Sequence, residues 1–66
     1  MKNKVKELRK LKGLTQEQLA EVIGVSRQTI NAIEKEKFDP SLPTAFKLSK
    51  LFNRSIEDFF LFEESN

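Results

Sequence analysis

The sequence predicts an all-α fold of five short helices followed by a short apolar tail, and three observations lead there. Apolar residues recur at helical spacing along most of the chain instead of alternating as in a strand. Each periodic stretch is bracketed by cap signals: Thr15, Ser26, Ser41 and Ser55 stand where helices would begin, and Gly13, Gly24 and Asn53 where they would end. With 66 residues, no cysteine and no histidine, the chain makes one domain with a small core and offers no disulfide or Cys/His metal site.

The first helix is expected from Asn3 or Lys4 to Lys12, with Val5, Leu8 and Leu11 on its inner face and Gly13 closing it. The second begins at Gln16. Thr15 and Gln18 form a capping box, in which side chains satisfy backbone N–H groups that the first turn leaves unpaired. Leu19, Ala20 and Ile23 make its buried stripe, and the small Ala20 lets another helix cross close by. Gly24 ends this helix, because only glycine enters the left-handed conformation without a Cβ penalty. After a tight turn, Ser26 caps a third helix over about residues 27–35.

A loop from Lys35 to Pro40 leads to Ser41, which caps a fourth helix from Leu42 to Phe52. Pro43 is tolerated in its first turn, where the missing N–H has no partner to lose. Ala45, Leu48 and Phe52 mark the buried face. Asn53 suits a left-handed exit, Ser55 and Asp58 offer another capping box, and Ile56 to Phe60 form a short fifth helix. No strand is expected in the body of the domain, and no internal repeat or linker is visible.

The tail breaks this regularity. Phe59, Phe60, Leu61 and Phe62 are four large apolar residues in a row, just before the acidic end EESN. Ile56, Phe59 and Phe60 can share a helical face, which leaves Leu61 and Phe62 without a place in so small a core. Exposed apolar patches mark interfaces, so Ile56, Phe59, Phe60, Leu61 and Phe62 are the candidate dimer contacts, within a segment of about residues 56–63. The fifth helices would pack together, or extended tails would pair as β-strands across a two-fold axis. The alternative is a tail folded back over its own chain.

The two helices over residues 16–35 differ in surface chemistry. At roughly 100° per residue, Arg27, Gln28, Asn31 and Lys35 fall within an arc of about 100°, while Thr29, Ile30 and Ile33 lie on the far side. Arginine suits bidentate contact with guanine, and Gln or Asn with adenine, each pair giving about 1–3 kcal/mol of discrimination. A merely solvated face is more often rich in Lys and Glu at i,i+4. These residues read as a DNA-reading helix-turn-helix with Arg27, Gln28 and Asn31 at base edges. Thr29 is a fourth candidate, with phosphate contact or a local cap as its alternatives.

Net charge is only +2, but it is unevenly distributed. Residues 1–37 carry nine Lys or Arg against five Asp or Glu, whereas residues 38–66 carry three against five. The basic half holds the reading helix, a polarity that would orient the domain on a phosphate backbone. No apolar run is long enough to span a membrane, and MKNKVKELRK lacks a signal-peptide hydrophobic region. A soluble, cytoplasmic protein is expected.

The stretch KELRKLKGLTQEQLAEVIGVSRQTINAIEKEKFDPSLPTAFKLSKLF resembles the Cro and lambda-repressor class of helix-turn-helix regulators, the XRE family, and specifically its small stand-alone members. Gln16, Ala20, Gly24, Ile30 and Ile33 sit at that family's signature spacing, followed by the IEK of Ile33 to Lys35 and by Pro40. The resemblance implies a compact lambda-repressor-like domain of prokaryotic or phage origin, associated with the nucleoid, whose partner is double-stranded DNA. It also implies phosphate contact at Gln16, where free N–H groups and the helix dipole attract an anion, with the Gln16 side chain bracing the third helix. Lys35, Lys37 and the backbone N–H groups around Phe38 would grip the phosphates beyond the reading helix, fixing register without reading sequence.

Charged residues at the positions of Arg9 and Glu34 are paired in relatives that the chain resembles. Glu34 lies at the margin of the buried arc, and a partly enclosed carboxylate needs a partner; Arg9 supplies a bidentate one. One departure concerns Glu36, which stands where relatives usually place Gly or Asn. Either the helix runs on by a residue, or a left-handed Glu costs about 1 kcal/mol relative to glycine.

The leading functional expectation is a sequence-specific transcription regulator, a repressor that binds a roughly palindromic operator as a homodimer. Its two reading helices would enter successive major grooves about 34 Å apart. An alternative from another class is an antitoxin-like interaction module that uses the Phe-rich tail. RNA binding is disfavoured by the absence of stacking aromatics from the polar face. Catalysis is not expected, since no carboxylate pair forms a recognisable cleft and no nucleophile has an evident base. No cofactor and no small-molecule effector is implied.

Overall fold

The computed structural model describes residues 1–63, so residues 64–66 of the acidic end lie outside the described residues. Five helices appear in the expected order: α1 (Val5–Leu11), α2 (Gln16–Ile23), α3 (Arg27–Glu34), α4 (Leu42–Phe52) and α5 (Ile56–Phe59). Two short strands, β1 (Lys2–Asn3) and β2 (Phe60–Leu61), pair antiparallel with Lys2 opposite Leu61 and Asn3 opposite Phe60.

Local chemistry explains most helix ends. Thr15 Oγ1 accepts from the Gln18 amide at 3.1 Å, and Gln18 Oε1 accepts from the Thr15 amide at 2.9 Å, so the capping box of α2 is complete. Ser26 and Ser41 cap α3 and α4 through the amides of Thr29 and Thr44. Gly24 (φ 88°) and Asn53 (φ 54°) close α2 and α4 in the left-handed conformation. Glu36 also adopts it, with φ 64°. The Glu36 amide donates to the Ile33 carbonyl and the Lys37 amide to the Ala32 carbonyl, both at 3.0 Å. This is a Schellman closure, so α3 stops on schedule and Glu36 carries the backbone cost. Its Oε2 accepts from the Asn3 amide at 3.2 Å, a bond that offsets part of that cost.

The core collects one face from every helix: Val5, Leu19, Ala20, Ile23, Ile30, Ile33, Leu48, Phe52, Phe59 and Phe60 are buried. Phe59 meets Phe52 edge to face, with ring centroids 5.5 Å apart.

Four expectations are corrected. Leu11 is 79% exposed rather than core, because Arg9 turns inward beside Val5 and rotates α1 so that Leu11 faces out. Ser55 makes no side-chain cap; the first turn of α5 is closed by the Asp58 amide donating to the Ser55 carbonyl at 3.0 Å. The fifth helix ends at Phe59, since Phe60 turns extended (φ −108°, ψ 118°) and starts β2. A strand does form. The tail folds back to pair with the chain's own β1, and the Lys4 amide adds a bond to the Phe59 carbonyl at 2.9 Å. Phe59 and Phe60 are therefore enclosed by their own protomer and have no surface for a dimer contact, while Leu61 is 40% and Phe62 is 72% exposed.

Candidate nucleic-acid interface

The polar face of α3 is held out from the domain by its apolar face. Ile30 and Ile33 are fully buried against α2, whose small Ala20 is 3% exposed. Arg27 and Gln28, in the first turn of α3, are exposed, as are Lys35, Lys37 and Phe38 beyond its end. Thr29 and Asn31 are half-buried. The three cations therefore lie one at the start of α3 and two just beyond its end, with uncharged hydrogen-bonding groups between them.

Thr29 is committed locally. Its hydroxyl shares a hydrogen bond with Ser26 Oγ at 2.9 Å, and its amide donates to the same Ser26 oxygen. This matches the local-cap alternative for Thr29.

Behind the face lies a small polar network centred on Glu34, whose side chain is 3% exposed. Arg9 Nε donates to Glu34 Oε2 at 2.6 Å and Arg9 Nη2 to Oε1 at 3.2 Å, a bidentate pair. Arg9 Nη1 donates to the Leu14 carbonyl at 2.8 Å, which ties α1 to the loop before α2. Gln16 Nε2 donates to Glu34 Oε1 at 3.0 Å and to Asn31 Oδ1 at 3.2 Å. Among the described residues, no buried side-chain polar atom is left without a partner.

The network fixes amide orientations by elimination. An ionised carboxylate only accepts, so the Gln16 atom against Glu34 must be the nitrogen. The same nitrogen faces Asn31, so the Asn31 atom there must be the oxygen. Asn31 Nδ2 is thereby turned away from Gln16 as a donor, an orientation that no local sequence pattern gives. The first turn of α2 brings its N-terminal amides to the same side of the molecule as Gln16, a place where helix ends favour anions.

Asn3 adds a connection that sequence reasoning missed. Its Nδ2 donates to the Ile33 carbonyl at 2.8 Å, near the end of α3, and its Oδ1 accepts from the Val5 amide at 3.1 Å. The asparagine just before the first apolar residue of α1 was the available signal. Among the described residues no group of His, Cys, Asp or Glu could hold a metal ion, and no helix is long and apolar enough to cross a membrane.

A family model described as helix-turn-helix matches residues 5–59. An uncharacterized HTH-type transcriptional regulator of Methanocaldococcus jannaschii is 61% identical over 64 residues, which cover 97% of each chain. The uncharacterized HTH-type transcriptional regulator YgzD of Bacillus subtilis is 54% identical over 66 residues, covering 100% of each. Among solved structures, the restriction-modification controller protein C.AhdI from Aeromonas hydrophila is similar with a TM-score of 0.74 and 32% identity, over 85% of each chain.

Proposed function

The chain belongs to the helix-turn-helix family, as an XRE-type member, and from that membership we propose that it is a DNA-binding transcription regulator acting as a homodimeric repressor. The observation that carries this reading is the exposed face of α3, where Arg27 and Gln28 lead and Lys35 and Lys37 follow. In the proposed complex α3 lies in the major groove, with Arg27, Gln28 and Asn31 at base edges. With its oxygen engaged by Gln16, Asn31 acts there as a donor, toward purine N7, guanine O6 or thymine O4. Lys35, Lys37, the N-terminal turn of α2 and the amides near Phe38 take phosphates.

The operator is proposed to be roughly palindromic, with half-sites about 34 Å apart, read by two protomers in the cytoplasm. Their contact is assigned to residues about 56–63, with Ile56, Leu61 and Phe62 as the remaining apolar contributors. Selection of duplexes from a random library, followed by sedimentation of the protein with and without the selected duplex, tests both halves of the proposal. A two-fold symmetric site bound by two protomers is expected. Leu61→Asp with Phe62→Asp, two changes at exposed positions, should give a folded monomer that binds half-sites weakly. Asymmetric sites bound by single protomers would overturn the dimeric reading.

A further inference from the structure

Glu36 takes no part in the proposed DNA contacts, yet it holds a left-handed conformation (φ 64°) that glycine would adopt at lower cost. Its side chain makes a tie across the molecule that glycine lacks. Glu36 Oε2 accepts from the amide of Asn3 in β1 at 3.2 Å, and Asn3 Nδ2 donates to the Ile33 carbonyl at 2.8 Å. That carbonyl also accepts from the Glu36 amide at 3.0 Å, so both of its lone pairs are engaged at the exit of α3. β1 is itself anchored: it pairs with β2, the Lys4 amide donates to the Phe59 carbonyl at 2.9 Å, and Phe59 and Phe60 are buried in the core. The closure braced in this way uses the amides of Glu36 and Lys37. Among the described residues, the amide of Phe38 is the first beyond α3 that has no acceptor.

We propose that Glu36 is a positioning residue for DNA binding: through β1 it holds the loop after α3 so that the Phe38 amide and the Lys37 side chain meet a phosphate already in place. The inference rests on the reading of α3 as the DNA-reading helix and deepens it by giving a role to a residue outside the reading face. Glu36 acts without touching DNA. A donor fixed by the fold loses less freedom on binding than one carried by a loose loop. Phosphate contacts carry no base information, so the effect falls on all sequences alike. The departure from Gly or Asn at this place thus exchanges an easier backbone for a fixed loop.

The test uses the full chain, the duplex selected as described above and a random duplex of the same length. Glu36→Gln keeps an acceptor and Glu36→Met does not, while the two match in charge and nearly in size. Glu36→Gln should bind both duplexes at least as tightly as wild type, since a negative charge near the phosphates is removed. Glu36→Met should bind both about fivefold more weakly than Glu36→Gln, the worth of one hydrogen bond. Glu36→Gly separates positioning from stability. Its relaxed backbone should make it more resistant to urea than Glu36→Met, while its DNA affinity stays at or below that of Glu36→Met. Equal affinities for Glu36→Gln and Glu36→Met overturn the inference, as does a Glu36→Gly that regains the affinity of Glu36→Gln, which would mark the effect as one of fold stability. A difference confined to the selected duplex also overturns it, because a phosphate contact acts on both; in each of these cases the selected site leaves the DNA-reading assignment standing. A wild type that binds neither duplex would overturn the inference and that assignment together.

Discussion

Removing Arg9 should damage this domain more than removing any exposed cation, and the magnitude follows from what surrounds it. The Glu34 side chain is 3% exposed and that of Arg9 is 9% exposed, so neither charge can turn to water when its partner goes. In Arg9→Met the apolar stem is roughly preserved, while Glu34 keeps only Gln16 as a donor and the Leu14 carbonyl loses its bond. Breaking a buried pair by removing one partner costs about 3–5 kcal/mol. A domain of this length holds only about 3–10 kcal/mol in total. The single variant should therefore lie close to its unfolding midpoint at room temperature.

Arg9→Met with Glu34→Leu removes both charges and fills the space with apolar atoms. It leaves the Leu14 carbonyl and Gln16 short of partners, an effect of about 1–3 kcal/mol, yet it should be more stable than either single variant. Urea unfolding followed by circular dichroism measures the cycle without screening charges, at fixed protein concentration because subunit association adds to apparent stability. Single effects that simply add would refute the reasoning. So would a cost for Arg9→Met below about 1 kcal/mol, the range of a solvent-exposed ion pair.

Two further predictions concern reading and closure. Gln28→Ala should relax discrimination at particular operator positions by about 1–3 kcal/mol, whereas Lys37→Ala should weaken binding to all sequences alike and flatten the salt dependence by about one unit of slope; a salt titration against operator and random duplexes separates them, and a uniform loss in Gln28→Ala would sink its assignment. Gly24→Ala should cost about 1–2 kcal/mol from its backbone alone, since φ is 88° and a new Cβ would meet only the flexible end of Lys47 at 4.0 Å; a loss above about 3 kcal/mol in urea unfolding would mean that the turn packs against something else.

The parts of the fold legible in the sequence are those determined within a few residues. Thr15 with Gln18, Ser26, Ser41, Gly24 and Asn53 each act on amides or carbonyls of their own turn, so their positions translate directly into helix ends. Leu11 was misread because periodicity gives the spacing of a stripe and not its centre. At 100° per residue Leu11 lies about 140° from the midpoint of Val5 and Arg9, and burying Arg9 for the sake of Glu34 selects that midpoint. β1 was invisible for a different reason. Two residues carry no periodicity, and Lys2 and Asn3 become a strand only because β2 arrives from the other end of the chain. Leu61 and Phe62 do stay outside the core as their number implies, whereas Phe60 enters it from the strand and not from a helix. On the exposed face of α3, the exposure of Arg27 and Gln28 follows from helix geometry and the engagement of Thr29 from the Ser26 cap three residues before it, but the fixed amide of Asn31 depends on Gln16, outside any local pattern.

Stability and the proposed base reading are joined at Glu34. Its carboxylate holds Arg9 on one side and Gln16 on the other, and Gln16 in turn holds the oxygen of Asn31. Without that carboxylate nothing requires the Gln16 nitrogen to face inward, and the Asn31 amide is free to turn its oxygen toward the groove. The residue would then show the groove an acceptor in place of a donor. The charge buried at 3% exposure thus does more than link α1 to α3: it selects which hydrogen-bonding group Asn31 presents on the proposed reading face, so a substitution that left the fold intact would still alter the proposed preference at that base.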